Sequence, residues 1–120
     1  MDYKEVVKNI LPKGLLDYFE VKGMKEIASH GKQEEHFIIT LEETNALPYG
    51  FSENDYESKG FYKPRKVQDF PLRGKAVYLL IYRRRWQHKQ DKKYIHRDFT
   101  LIAEGTKFTK ELSDFLKQPY

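Results

Sequence analysis

Apolar residues near the start of the chain recur at the spacing of an amphipathic helix. The stripe consists of Tyr3, Val6, Val7, Ile10 and Leu11. A proline, a glycine and a pair of leucines follow, which favours a second short helix in the same stretch. We therefore predict helical turns over residues 1–18.

The pattern then changes to an alternation of apolar and polar residues, which is typical of half-buried strands. Phe37, Ile39 and Leu41 fall on one face of the segment that follows the turn signal at 29–32. We predict an antiparallel β-hairpin over residues 19–43, with strands at about 19–27 and 35–43.

Residues 44–62 contain proline, glycine and asparagine without a period, and they predict a long loop. A basic β region is expected over residues 63–99, with a strand at 63–69 and a short strand at 94–99. The strand that the sequence predicts most strongly in this region is Lys75 to Trp86, because residues in its middle are apolar on both faces. Such a strand is expected inside a sheet and not at its edge.

Near the end of the chain, Phe108, Leu112, Phe115 and Leu116 return to helical spacing. They predict a helix over residues 106–117, with Thr106 or Thr109 as the N-cap. The length of 120 residues is that of one domain, residues 1–120. The predicted fold class is α+β: a small, mostly antiparallel sheet with N-terminal helical turns and a C-terminal helix.

Charge is divided unevenly along the chain. Residues 1–60 hold 7 lysines, no arginine and 12 acids, whereas residues 61–120 hold 9 lysines, 6 arginines and 6 acids. A basic half that is rich in arginine suggests a phosphate-rich partner, because the guanidinium fork matches phosphate geometry. The alternative is that the basic strands pair with the acidic half of the same domain.

The basic half also contains aromatic residues, a composition typical of a nucleic-acid-binding surface. In a strand, Arg83 and Arg85 point one way and Arg84 and Trp86 the other, so that two arginines on one face span neighbouring phosphates. Trp86 either stacks on a base or packs in the core, and the core is favoured because large aromatics are mostly buried. The candidate nucleic-acid-binding residues are Lys63, Arg65, Lys66, Arg73, Lys75, Arg83, Arg84, Arg85, Trp86, Lys89, Lys92, Lys93 and Arg97.

Other chemistry has little support in the sequence. The chain has no cysteine and four scattered histidines, so neither a metal site nor a cofactor is expected. No nucleophile or phosphate-loop motif is present, and we do not expect an enzyme. The first residues lack the pattern of a signal peptide, and the longest apolar run is too short to span a membrane. A cytoplasmic location is therefore expected.

The segment from Lys63 to Trp86 resembles the N-terminal region of bacterial insertion-sequence transposases. In one large family of these, a zinc-ribbon-like module precedes a helix-turn-helix and a DDE catalytic domain. Residues 69–74, Asp-Phe-Pro-Leu-Arg-Gly, look like the turn of the family pattern, and Arg-Arg-Arg-Trp at 83–86 looks like its strand end. Residues 99–110 look like the approach to the first DNA-binding helix.

The chain departs from that pattern where the family has cysteine pairs. Leu-Pro-Tyr-Gly stands at 47–50 and Gln-His-Lys-Gln at 87–90, so neither segment binds zinc. The resemblance then implies a metal-free ribbon held by aromatic packing of Tyr49, Phe51, Phe61 and Tyr94. It also implies that the catalytic acids of a DDE domain are absent, because the sequence stops after one helix.

Two functions follow as hypotheses. The first is a DNA-binding module that recognises or holds transposon ends as duplex DNA, acting with a separately encoded transposase catalytic subunit. The second is a protein-interaction module whose basic face docks an acidic partner, such as that catalytic subunit. Competition by unrelated duplex DNA distinguishes the two. Salt dependence separates both of them from a third alternative, a small enzyme on an α+β scaffold.

Overall fold

The computed structural model describes residues 3–32, 34–99 and 109–118. The strands of this part of the chain form two sheets, one in the order β1-β2-β5-β4 and one in the order β3-β6-β7. The elements are α1 (Tyr3–Ile10), a 3₁₀ helix (Leu15–Asp17), β1 (Phe19–Ile27), β2 (His36–Glu43), β3 (Tyr56–Phe61), β4 (Arg65–Leu72), β5 (Lys75–Tyr82), β6 (Arg84–His88), β7 (Tyr94–Ile95) and α2 (Lys110–Lys117).

The fold class is α+β and mostly antiparallel, as the sequence predicts. The hairpin of β1 and β2 is antiparallel, and so are β4 with β5 and both pairings of the second sheet. Between β2 and β5 the pairing is parallel, with Ile39 opposite Leu79. Arg73 and Gly74 link β4 to β5 with φ angles of 50° and 77°, the positive values that a two-residue hairpin turn requires.

One face of the first sheet carries the core. Ile39, Leu41, Leu79 and Ile81 lie on this face and expose no surface, because their alternating positions all point to the same side. The helices cover that face with residues spaced at helical intervals. These covering residues are Val7, Leu11 and Leu15 from the N-terminal segment and Leu112, Phe115 and Leu116 from α2.

The predicted strand from Lys75 to Trp86 is two strands. Its internal position is confirmed, since β5 lies between β2 and β4, and β6 lies between β3 and β7. At Arg83 the chain leaves the first sheet and enters the second, and the Arg83 carbonyl accepts from the Tyr62 N–H at 2.8 Å. Arg83 therefore links the two sheets and separates β5 from β6. The sequence did not predict this break, because strand-forming residues continue without interruption through this part of the chain.

Four other boundaries also differ from the sequence predictions. The prediction of a loop over 44–62 is wrong at its end, because β3 forms there and pairs with β6. The strand predicted at 63–69 runs from Arg65 to Leu72. The strand predicted at 94–99 is only two residues long. The C-terminal helix begins at Lys110, with the Thr109 hydroxyl accepting from the Leu112 N–H at 3.1 Å; residues 106–108 lie outside the described part.

In the described ranges, neither helix is long and apolar enough to cross a bilayer.

Candidate nucleic-acid interface

The two sheets are joined by a buried charged cluster around Glu43, the last residue of β2. The Glu43 carboxylate has no exposed side-chain surface. It accepts from the Arg84 backbone N–H at 3.0 Å and from Arg97 Nε at 3.3 Å, and its own carbonyl accepts from Arg84 Nε at 3.0 Å. Arg84 and Arg97, two of the arginines predicted to bind phosphate, are thus held by an acid of the N-terminal half. This agrees with the alternative that the basic strands pair with the acidic half of the same domain.

Arg83 is also part of this interior. It is 1% exposed, donates to the Arg97 carbonyl, and lies with its guanidinium carbon 5.0 Å from the centre of the Phe99 ring. Its side chain therefore has no access to a phosphate on the surface. The prediction that Arg83 and Arg85 share one exposed face is wrong, because the chain turns between sheets at Arg83 and the alternation is interrupted there.

Trp86 belongs to the core, as the sequence reasoning favoured, and its assignment as a nucleic-acid-binding residue is wrong. Its side chain has no exposed surface, and its indole Nε1–H donates to Asn45 Oδ1 at 3.0 Å. The partner comes from the start of the loop after β2. This hydrogen bond satisfies the polar atom of a large ring that would otherwise be costly to bury.

Burial shifts the pKa values of two side chains at the junction away from their usual values, one upward and one downward. It raises the pKa of Glu43 above its usual range, although hydrogen bonding by the Arg84 amide and the charges of Arg83 and Arg97 pull it down. Burial, helped by the charge of Arg83, lowers the pKa of His96. Both shifts disfavour extra charge in the space between the sheets.

An exposed group of cations lies on the second sheet and on the turn that follows β6. We call it the basic patch. Each member is at least partly exposed to solvent and lies on β3, β6, β7 or the turn between β6 and β7. The members are Lys59, Arg85, Lys89, Lys92, Lys93 and the ring of Tyr94.

Arg85 is held in place on the solvent face of the sheet. Its Nε donates to the Lys59 carbonyl at 2.9 Å, and its guanidinium carbon lies 4.7 Å from the centre of the Tyr94 ring. No other described residue takes a hydrogen bond from its terminal amino groups. A guanidinium fixed on an aromatic ring with donors still available is suited to binding a phosphate.

The turn after β6 is tightly hydrogen-bonded. The His88 N–H donates to the Lys93 carbonyl at 2.9 Å, and the Lys92 N–H donates to the His88 carbonyl at 3.0 Å. The Lys93 N–H donates to Asp91 Oδ1 at 2.9 Å. Within the described part of the chain, neither Lys92 nor Lys93 has its ammonium group paired, so an ordered backbone presents two exposed charges.

The other predicted residues do not join this patch. Lys75 forms ion pairs with Glu26 at 2.5 Å and Glu35 at 3.4 Å, at the far end of the first sheet, and Arg73 lies in the neighbouring turn. On β4, Arg65 donates to Gln118 Oε1 at 2.7 Å. Lys66, next along β4, packs its ammonium over the Tyr78 ring, and Lys63 is exposed ahead of that strand.

Of the thirteen candidates, the structure therefore groups four on the basic patch: Arg85, Lys89, Lys92 and Lys93. Sequence reasoning missed Lys59 and Tyr94 as members. Lys59 fell in a stretch interpreted as loop, and Tyr94 gave no signal because only the pairing of β6 with β7 brings it beside Arg85.

Among the described residues, no group of histidine and carboxylate side chains is placed to hold a metal ion. Comparison with protein-family models, with curated proteins and with solved structures found no match to this chain.

Proposed function

We propose that this protein is a duplex-DNA-binding module of the kind found in the N-terminal region of bacterial insertion-sequence transposases. It acts in the cytoplasm with a separately encoded catalytic subunit and carries out no reaction itself. The observation that carries the proposal is the basic patch: exposed cations on a hydrogen-bonded turn and sheet, beside an arginine fixed on an aromatic ring. Phosphate contacts of this kind position a protein on DNA.

The contact between two segments adds support. The resemblance to transposases implies that 47–50 and 87–90 stand where that family has its cysteine pairs, and here residues that follow the first segment contact the second. The Phe51 ring lies 5.2 Å from Tyr56, and Tyr56 lies 5.0 Å from His88, both edge to face. The Lys89 N–H donates to the Asp55 carbonyl at 2.8 Å.

Not every residue of the implied metal-free ribbon takes part in that packing. Phe61 packs against Tyr82, and Tyr94 lies under Arg85. Tyr49 is fully exposed and packs against none of the residues that the structure describes. Of these four aromatic residues, Phe51 alone takes part in the contact between the loop and the turn.

The proposal is tested by fluorescence anisotropy with a labelled duplex at low salt. The double variant Lys92→Gln/Lys93→Gln removes two unpaired charges from the patch and should weaken binding about 5- to 30-fold, at roughly 0.5–1 kcal/mol per exposed contact. The matched control, Lys13→Gln/Lys25→Gln, removes the same charge from exposed positions outside the second sheet and should change affinity less than twofold. Equal losses in both variants contradict a specific patch.

A protein-docking function remains the second candidate, and one observation favours it. A groove of about 480 Å³ is lined by Val7, Ile10, Met24, Phe37 and Leu72, with Arg73 and Lys75 at its rim. An apolar groove of this kind suits an amphipathic segment, and Arg73 suits an acidic residue on it, since Lys75 is already paired with Glu26 and Glu35. Loss of binding to an acidic catalytic subunit in Leu72→Asp, with DNA binding unchanged, is the result that favours this function.

A further inference from the structure

Tyr49 is the most exposed large apolar side chain of the described residues, and its backbone lies in a hydrogen-bonded turn. Its relative exposure is 102%, which means that the whole ring stands in solvent. It occupies the second position of a turn in which the Phe51 N–H donates to the Pro48 carbonyl at 3.2 Å. Gly50, at the third position, has a φ of 93°, the value that a type II turn requires there. The turn therefore holds the ring outward.

This turn is tied to the basic patch by several contacts. Phe51 packs on Tyr56, which packs on His88 at the base of the turn after β6. Lys89 of the patch donates from its backbone to the Asp55 carbonyl and from its ammonium to the Glu53 carbonyl at 3.0 Å. Tyr49 is two residues from Phe51, at most about 7 Å along the chain. A DNA duplex bound by the patch is thus within reach of the Tyr49 ring.

The charges near Tyr49 determine which part of the DNA it meets. The same loop carries the exposed acids Glu53 and Asp55, and these repel phosphates from its surface. Electrostatics at this loop therefore disfavours contact with the sugar-phosphate backbone, and the uncharged Tyr49 ring is suited to meet a base. An aromatic ring offers a base a stacking partner without regard to sequence, because every base has a π-face.

We infer that Tyr49 stacks on an unpaired base of the DNA whose phosphates the basic patch binds. The inference rests on the proposed function and adds a ligand feature to it, namely a distorted or incompletely paired site. Aromatic and apolar side chains that enter a base stack at such sites replace the base–base contact that the distortion removes.

The test compares two labelled duplexes of the same sequence, one fully paired and one with a single unpaired base, by anisotropy. The wild-type protein should prefer the second duplex about fivefold or more, the lower end of base–aromatic stacking. Tyr49→Ala should abolish the preference, and Tyr49→Phe should keep it. Phe70→Ala is the matched control, since Phe70 is 77% exposed but lies on β4 of the other sheet, and it should leave the preference unchanged.

Each outcome separates the inference from the proposed function. If Tyr49→Ala binds both duplexes as the wild type does while Lys92→Gln/Lys93→Gln loses affinity, stacking is overturned and the DNA-binding function stands. Equal weakening of both duplexes by Tyr49→Ala also overturns stacking on an unpaired base. If the wild-type protein binds neither duplex, the proposed function itself fails. Because the ring is fully exposed, the urea midpoint of Tyr49→Ala should match that of the wild type, which shows that lost binding is not lost folding.

Discussion

Replacing Glu43 by alanine should remove much of the stability of the domain. The substitution leaves the Arg84 N–H and Arg97 Nε without the carboxylate that now accepts from both. Hydrogen bonds to a charged group contribute about 1.5–3 kcal/mol each, and breaking a buried ion pair from one side costs about 3–5 kcal/mol. We expect a loss of about 3–5 kcal/mol, against a total of about 5–15 kcal/mol for a domain of this kind.

Glutamine at the same position should be tolerated better than alanine. It keeps the volume, and its amide oxygen can accept from the Arg84 N–H. Because burial raises the pKa of Glu43, the site favours a neutral side chain more than water does. Glu43→Gln should therefore lose less than Glu43→Ala, because it keeps an acceptor for the Arg84 N–H, although it leaves the charges of Arg83 and Arg97 without a compensating carboxylate.

The assay is urea unfolding followed by tryptophan fluorescence. Trp86 is the sole tryptophan, is buried in β6, and therefore reports directly on the junction. A Glu43→Ala variant that loses less than about 1 kcal/mol refutes the view that this carboxylate holds the two sheets together. A Glu43→Gln variant that loses as much as the alanine variant shows that charge, and not hydrogen-bonding shape, is what the site requires.

Two further predictions concern the same junction. Asn45→Ala removes the acceptor of the Trp86 indole N–H and should cost about 1–3 kcal/mol in urea unfolding; Asn45→Asp, which keeps an acceptor oxygen, should cost less. His96 has a lowered pKa when folded, so the unfolded chain binds more protons and stability falls as pH drops below about 6.5. In His96→Gln, unfolding free energy measured between about pH 7 and pH 5 should decline less than in the wild type, and an identical decline contradicts the assignment.

Local patterns predicted the first sheet well. The alternation in Phe37, Ile39 and Leu41 is a direct consequence of one buried face, and the helical spacing of Leu112, Phe115 and Leu116 reflects packing on that face. At the Arg73–Gly74 turn, Gly74 is a residue type that favours its positive φ angle, whereas Arg73 adopts one against the usual preference of an L-residue.

The junction was not predictable in this way. The break at Arg83 depends on Glu43, which lies 40 residues earlier in the chain, and no local feature of the Lys75–Trp86 run announces it. Contacts between distant parts of the chain also explain why the sequence did not predict which arginines are exposed. Exposure of Arg85 and burial of Arg83 follow from which sheet each enters, and this is set by tertiary contacts and not by charge or spacing.

The strand β3 was missed because its sequence lacks the usual alternation. Its pairing with β6 is irregular between Ser58 and Phe61, so polar and apolar residues do not fall at even spacing. Once β3 is in place, Lys59 and its carbonyl contact to Arg85 become part of the basic patch. Residue types therefore predicted that exposed cations and aromatic residues would lie together, but not which residues form the basic patch.

The salt dependence of DNA binding tests the central claim most directly, namely that the exposed cations of the basic patch bind phosphates. The logarithm of the association constant should fall linearly with the logarithm of salt concentration, with a slope of about −0.9 for each phosphate neutralised. Lys92→Gln/Lys93→Gln should make that slope shallower by about 1.8, and Lys13→Gln/Lys25→Gln should leave it unchanged. An unchanged slope in the patch variant contradicts the account.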